Sequence, residues 1–152
     1  ADLFELRAAL LAVAAGRCAG LAKGARVAEL RALVSQLEAM AADPATDPQA
    51  FAVQSIQAQT FLIHWCGNRH LPNVYERLAS IGAWQLIRGR ASSFLTMAQR
   101  QESASDWRRL AAHIAKGEAA ASERAARRLL EHSASRVRKH LDEAAQSDQI
   151  PR

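Results

Sequence analysis

FAVQSIQAQTFLIHWCGNRHL, residues 51–71, is the stretch whose reading decides the fold. Ile56, Phe61, Leu62 and Trp65 are apolar at helical spacing. Asp47-Pro48 supplies a start: an aspartate that accepts from free N–H groups, then a proline whose fixed φ suits the first helical position. Gly67 can take the left-handed conformation that closes a helix. The stretch therefore reads as one buried helix ending at the Gly67-Asn68 turn. Inside it lies a polar set, Ser55, Gln57 and Gln59, and no Asp, Glu, Lys or Arg occurs from Gln49 to Asn68. Such groups face a water-filled pocket, a buried hydrogen-bond partner or a partly exposed helix flank; periodicity alone leaves the three open.

Working outward, every neighbouring segment is also helical. A first helix is expected over residues 2–21, capped by Asp2, with Leu3, Leu6, Leu10, Val13 and Cys18 at helical steps and Lys23-Gly24 as its stop. A second, over 25–42, carries the most continuous apolar stripe: Val27, Leu30, Leu33, Val34, Leu37 and Met40. Two Asp-Pro pairs, at 43–44 and 47–48, mark the loop before the central helix. Beyond it the pattern predicts a long fourth helix over 71–99, burying Val74, Tyr75, Leu78, Ile81, Leu86, Phe94 and Met97, with Gly82 and Gly89 allowing a bend. Ser103, three residues before Asp106, looks like a cap for a short helix over 106–115 that Lys116-Gly117 stops. The last helix is expected over 118–145, buried through Ala121, Ala125, Leu129, Leu130, Val137 and Leu141, with 146–152 a frayed tail. No strand pattern or fixed repeat interrupts this, so the fold class is all-α: an antiparallel bundle of about six to seven helices in one domain.

Composition bounds the function. The 49% hydrophobic content is mostly Ala and Leu, and no apolar run approaches the ~20 residues that span a bilayer, so no membrane partner is expected. No signal peptide is read at the start, ADLFELRAALL, and a cytoplasmic location is expected. Cys18 and Cys66 lack metal-ligand spacing and read as buried free thiols. The net charge of +5 resides in residues 107–140, which hold nine Lys/Arg against three Glu. Without interleaved aromatics this reads as a solvated face before a nucleic-acid surface. There is no phosphate loop, H-E-x-x-H, C-x-x-C or G-x-S-x-G, and no nucleophile–base pair, so no enzyme activity is expected. His64 and His70 do not share a helical face, and His132 and His140 lie two turns apart, beyond joint reach of one ion.

Four segments, taken in order, carry a resemblance: ADLFELRAALLAVAA (1–15), IQAQTFLIHWCGNRHL (56–71), LAAHIAKGE (110–118) and ARRLLEHSASRV (126–137). They resemble the FCD domain, the C-terminal ligand-binding and dimerisation domain of FadR-subfamily GntR transcription regulators. In much of that family one Asp and three His hold a divalent metal. Carried over one at a time, the aspartate falls on Ser55, the first histidine on Gln59, the second on Trp107 and the third on Leu129; a shift of three would use His132 instead. Neutral amide and hydroxyl groups, an indole that only donates and an alkyl chain do not replace imidazole and carboxylate. The resemblance therefore implies a metal-free effector-sensing and dimerisation domain over 1–145, with no cofactor. Its ligand pocket would be lined by Ser55, Gln59, Trp107 and Leu129, with Arg88 (or Arg90) placed to pair with an acidic head group. Expected partners are a second copy of the chain, as a homodimer, and a small organic ligand of carboxylate, aromatic or acyl type. Promoter DNA would be reached only through the family's N-terminal winged helix, which is not in this sequence. The alternative is a purely structural dimerisation domain with a filled pocket and no ligand.

Overall fold

Asp47 caps the central helix as its position demands: its carboxylate accepts from the Ala50 N–H at 3.0 Å, and Pro48 takes the first helical position. In the structure, a computed structural model that describes residues 2–81 and 91–147, six helices occur among the described residues and no strand. They are α1 (Asp2–Gly20), α2 (Gly24–Ala42), α3 (Pro48–Trp65), α4 (Leu71–Ile81), α5 (Met97–Ala115) and α6 (Ala119–Ser147). The all-α bundle is thus as expected, and the tail at residues 146–147 is still helical. None of the described helices is long and apolar enough to cross a membrane.

α3 is buried on most of its circumference, through Phe51, Ala52, Gln54, Ser55, Ala58, Gln59, Leu62, Ile63 and Trp65. It stops where Gly67 takes φ 70°, and Arg17 of α1 clasps that corner by donating from Nε to the Cys66 carbonyl at 2.9 Å. α1 touches α3, α4, α5 and α6, α6 most extensively; α2 packs on α3 and α5, and α5 on α6. Both cysteines are free and buried at the α1–α3 contact, where the Cys18 thiol donates to the Leu62 carbonyl at 3.3 Å. Burial, with a smaller contribution from Cys66 and opposition from Arg17, pushes the Cys18 thiol up to about 12.

Three expectations are corrected. First, the long fourth helix over 71–99 does not form. The chain has left the helix by Ser92, and α5 starts at Met97 behind a capping box in which Thr96 and Gln99 exchange side-chain-to-backbone bonds at 3.2 and 3.0 Å. Phe94 is buried against Phe51, but Val74 and Met97 are exposed. Leu86, Gly82 and Gly89 lie outside the described residues. Second, Ser103 caps nothing: it and Asp106 are buried inside α5. The capping reading failed because Ser and acid at that spacing also suit a buried polar turn of a continuous helix.

Third, of the apolar positions expected on α1 only Cys18 is fully buried, and Leu3 and Leu10 are half-buried. Leu6 and Val13 are 52% and 45% exposed, whereas Ala8, Leu11, Ala12, Ala14, Ala15, Cys18 and Ala19 are buried. Short side chains let α1 lie close to α6, and at Gly16 an added Cβ would come 2.8 Å from Glu123 Cγ. Leu6 and Val13 turn outward, and Leu11 is the one leucine of α1 that is fully buried. Leu141 on α6 is likewise exposed, at a point beyond its neighbours' reach.

Two outcomes follow from these contacts. Thr96→Ala should cost about 1 kcal/mol of stability, read as a fall in Tm of roughly 3 °C. For Cys18 the folded thiol ionises later than the unfolded one, whose ordinary value is about 9. Its contribution is therefore intact below about pH 9 and lost as pH rises through about 12, so the urea midpoint should fall over that window. At pH 8 Cys18 should resist iodoacetamide until the protein is denatured.

Candidate functional site

Ser55 and Gln59 stand one turn apart on α3, on the face turned into the bundle, and both are buried. Each meets a different neighbour. The indole of Trp107, on α5, is fully buried and donates from Nε1 to Ser55 Oγ at 3.2 Å. Gln59 Oε1 accepts from Tyr75 OH of α4 at 2.7 Å and from Arg7 Nη2 of α1 at 2.9 Å. Arg7 Nη2 also reaches Tyr75 OH at 3.1 Å, and its guanidinium carbon sits 5.6 Å from the Tyr75 ring centroid. Four helices thus meet around two polar residues of the central one.

Of the residues expected to line the pocket, Ser55, Gln59 and Trp107 are brought together in this way. Leu129, on α6, is buried in the same apolar cluster as Trp107. Arg88 and Arg90 lie outside the described residues. His132, the alternative carry-over, sits at the bundle surface, where its Nδ1 shares a 2.8 Å hydrogen bond with Asp106 Oδ2. Arg109 reaches the other oxygen of Asp106 at 3.5 Å, so that carboxylate is engaged on both sides. A groove of about 300 Å³ between α1 and α6, lined in part by Phe4, Glu5, Arg127, Glu131 and Arg138, shares no lining residue with the carried-over set.

Arg7 and Tyr75 were missed as site residues. Their signal is present in retrospect. Arg7, Leu11, Ala14 and Cys18 follow i, i+4, i+7, i+11, so the arginine interrupts an otherwise apolar buried stripe. Tyr75 is the one tyrosine of the chain. Neither is recognisable until the buried face of α1 is known.

The donor set does not suit a metal ion. Ser55 Oγ and Gln59 Oε1 are neutral oxygens already engaged, the indole nitrogen has no lone pair to give, and Leu129 has no donor atom. The cationic Arg7, bonded to Gln59, would repel a second cation in the same place. Among the described residues no group of three or more His, Cys, Asp and Glu is disposed to hold a metal.

The Ser55–Trp107 bond gives a direct energetic test. Ser55→Ala should cost about 1–3 kcal/mol because it strands a buried indole N–H. In a Trp107→Phe background the same change should cost much less, and urea unfolding of the four proteins in the cycle reads the difference.

No curated protein matches this chain. Comparison with known protein families matches residues 2–132 to the FCD domain. That match spans α1 through α5 and most of the buried part of α6, including every helix that contributes to the Ser55–Gln59 site. The chain belongs to the FCD domain family, whose members are non-catalytic helical domains.

Proposed function

We propose that the chain is the effector-sensing and dimerisation domain of a GntR/FadR-type bacterial transcription regulator, and that it works without the metal common in that family. The observation that carries this reading is the polar set around Ser55 and Gln59 in the middle of an FCD bundle, where Ser55 is bonded to Trp107 and Gln59 to Tyr75 and the buried cation Arg7. Buried polar groups cost stability unless satisfied, so a core of pure packing would do as well with apolar residues there. Polar groups drawn from α1, α3, α4 and α5 to one point are suited to report a ligand to the whole bundle. A ligand acts by binding one arrangement of those helices better than another, and the change in helix packing is passed to the DNA-reading part of the full regulator.

Dimerisation has its own support. The apolar residues that α1 leaves in water, Leu6 and Val13 with half-buried Leu10 between them, follow i, i+4, i+7 along one stripe. Val74, on α4, is 46% exposed, and α4 packs beside α1. A second copy of the chain is the partner this surface fits in an FCD domain.

A second reading, a structural dimerisation domain with a filled core, is favoured by the full burial of Trp107 and by its satisfied bond to Ser55. A thermal-shift screen separates the two. Under the sensing reading an organic ligand raises the melting point, since it binds only the folded state, whereas zinc, nickel, manganese and a chelator leave it unchanged. A chelator-sensitive rise with metal would overturn the metal-free assignment, and no rise with any organic compound would favour the filled domain. By sedimentation velocity the chain should run as a dimer, and Leu6→Glu with Val13→Glu should convert it to monomer.

A further inference from the structure

Nine Lys/Arg fall in residues 107–140, and the structure sorts them. Arg108 pairs with Glu38 of α2 at 3.2 Å, Arg109 with Asp106 at 3.5 Å, and Arg136 is buried against Glu102. Lys139 approaches Glu143 at 3.9 Å, and Lys116 ends α5. Four remain: Arg124, Arg127, Arg128 and Arg138, all exposed on α6, and among the described residues none of them forms an ion pair. Arg127, Arg128 and Arg138 follow Arg124 by one turn, one turn and four turns, so the four share one side of the helix over about 21 Å. The opposite side, with Ala125, Leu129, Leu130 and Val137, is buried in the bundle.

What this side lacks selects its partner. From Arg124 to Lys139 the exposed residues of α6 are five cations, Glu131 and Ser135, with no aromatic or aliphatic side chain among them. Single-stranded nucleic acid would find no ring to stack a base on. A membrane surface would find no apolar face to bury, since that of α6 is already inside the bundle. A protein interface would lack an apolar or aromatic anchor at its centre. The phosphate backbone of a duplex needs none of these: it is a rigid, regularly spaced polyanion that cations alone hold. The acids on this side are unevenly placed. Glu131, with Glu5 of α1, lines the groove beside Arg127 and Arg138, and Glu123 is turned over Gly16 of α1. The positive charge is therefore least opposed at Arg124 and Arg128.

We propose that the outer side of α6 binds the phosphate backbone of duplex DNA, through Arg124 and Arg128 with Arg127 and Arg138 as flanking contacts. A duplex presents about one charge per 1.7 Å of axis, so a 21 Å row of arginines faces about twelve phosphates and neutralises a few of them. Guanidinium forks suit phosphate oxygens, and such contacts fix position on the duplex without reading its sequence. The choice of DNA over duplex RNA rests on the regulator reading above, and the proposal goes beyond it: the bundle itself holds backbone, in addition to whatever a separate DNA-reading part recognises. A contact that is weak alone gains strength when such a part tethers it to the duplex, because the second binding event is then intramolecular.

The test is fluorescence anisotropy of the whole chain with a labelled, mixed-sequence DNA duplex of roughly two helical turns, in KCl from about 50 to 200 mM. The dissociation constant should rise with a log–log slope of about 3 to 4, the value for about four phosphate contacts. Arg124→Gln with Arg128→Gln should lower that slope by about 2 and leave the melting point unchanged, since both side chains are exposed and unpaired. Lys23→Gln with Arg31→Gln removes the same charge from exposed positions at the start of α2 and along it, away from α6, and should leave the slope as it was. An equal effect of the two double variants overturns the proposal, because the DNA then answers to net charge and not to α6. Absence of binding at the lowest salt overturns it as well. So does tighter binding to a single strand of the same length, to duplex RNA or to phosphatidylserine vesicles than to the DNA duplex. The thermal-shift screen decides the sensing reading separately, so loss of this proposal leaves that reading standing.

Discussion

A guanidinium buried in a helical bundle cannot shed its charge, and the packing of α1, α3 and α4 is arranged around that fact. Arg7 reaches Gln59 and Tyr75, residues 52 and 68 positions away in the chain, and those two are bonded to each other. Once the arginine is inside, α1 has no rotational freedom left. Ala8, Ala12, Ala15 and Ala19 then turn inward with Leu11, and Leu6 and Val13 face out. The register of α1 on the bundle is thus set by one polar contact, not by the largest apolar residues of the helix. Hydrophobic burial is non-directional and would accept several rotations of so alanine-rich a helix; a hydrogen-bonded charge accepts one.

The same contact explains the chemistry of the site. At the positions onto which the resemblance carries the family's acid and imidazole groups, this chain has a hydroxyl, an amide, an indole and an alkyl chain. Trp107 fills volume and spends its N–H on Ser55, while Gln59 turns its oxygen to Arg7 and Tyr75. These bonds run between helices, so the polar residues of the site cross-link the bundle.

The outward face of α1 belongs to the same argument. Leu6, Leu10 and Val13 form an apolar stripe on the helix whose inner face carries Arg7. A helix apolar on both sides, with one charge inside, packs on the bundle through one face and leaves the other in water. Loss of one helical turn of contact on either side would be felt on the other, because packed interiors deform little.

Much of the fold was legible in the residues. Helical class, the bundle, the start at Asp47-Pro48, the stop at Gly67, the stripe of α2 and the burial of Leu129 follow from periodicity and capping chemistry, whereas periodicity left the surroundings of Ser55 and Gln59 open. So does the unsuitability of those four for a metal, since donor chemistry is a property of the side chain alone. The tertiary structure decided the rest. It left Leu6 and Val13 of α1 in water, restarted a helix at Met97 behind Thr96, drew Ser103 and Asp106 inside α5, and brought Arg7 to Gln59 and Tyr75. The physical reason is range. Caps, turns and periodicity act within about a turn of helix and are written in adjacent residues. Which face of an alanine-rich helix is buried, and which lone arginine goes in with it, depends on the shape and hydrogen-bonding groups of helices far away in the chain.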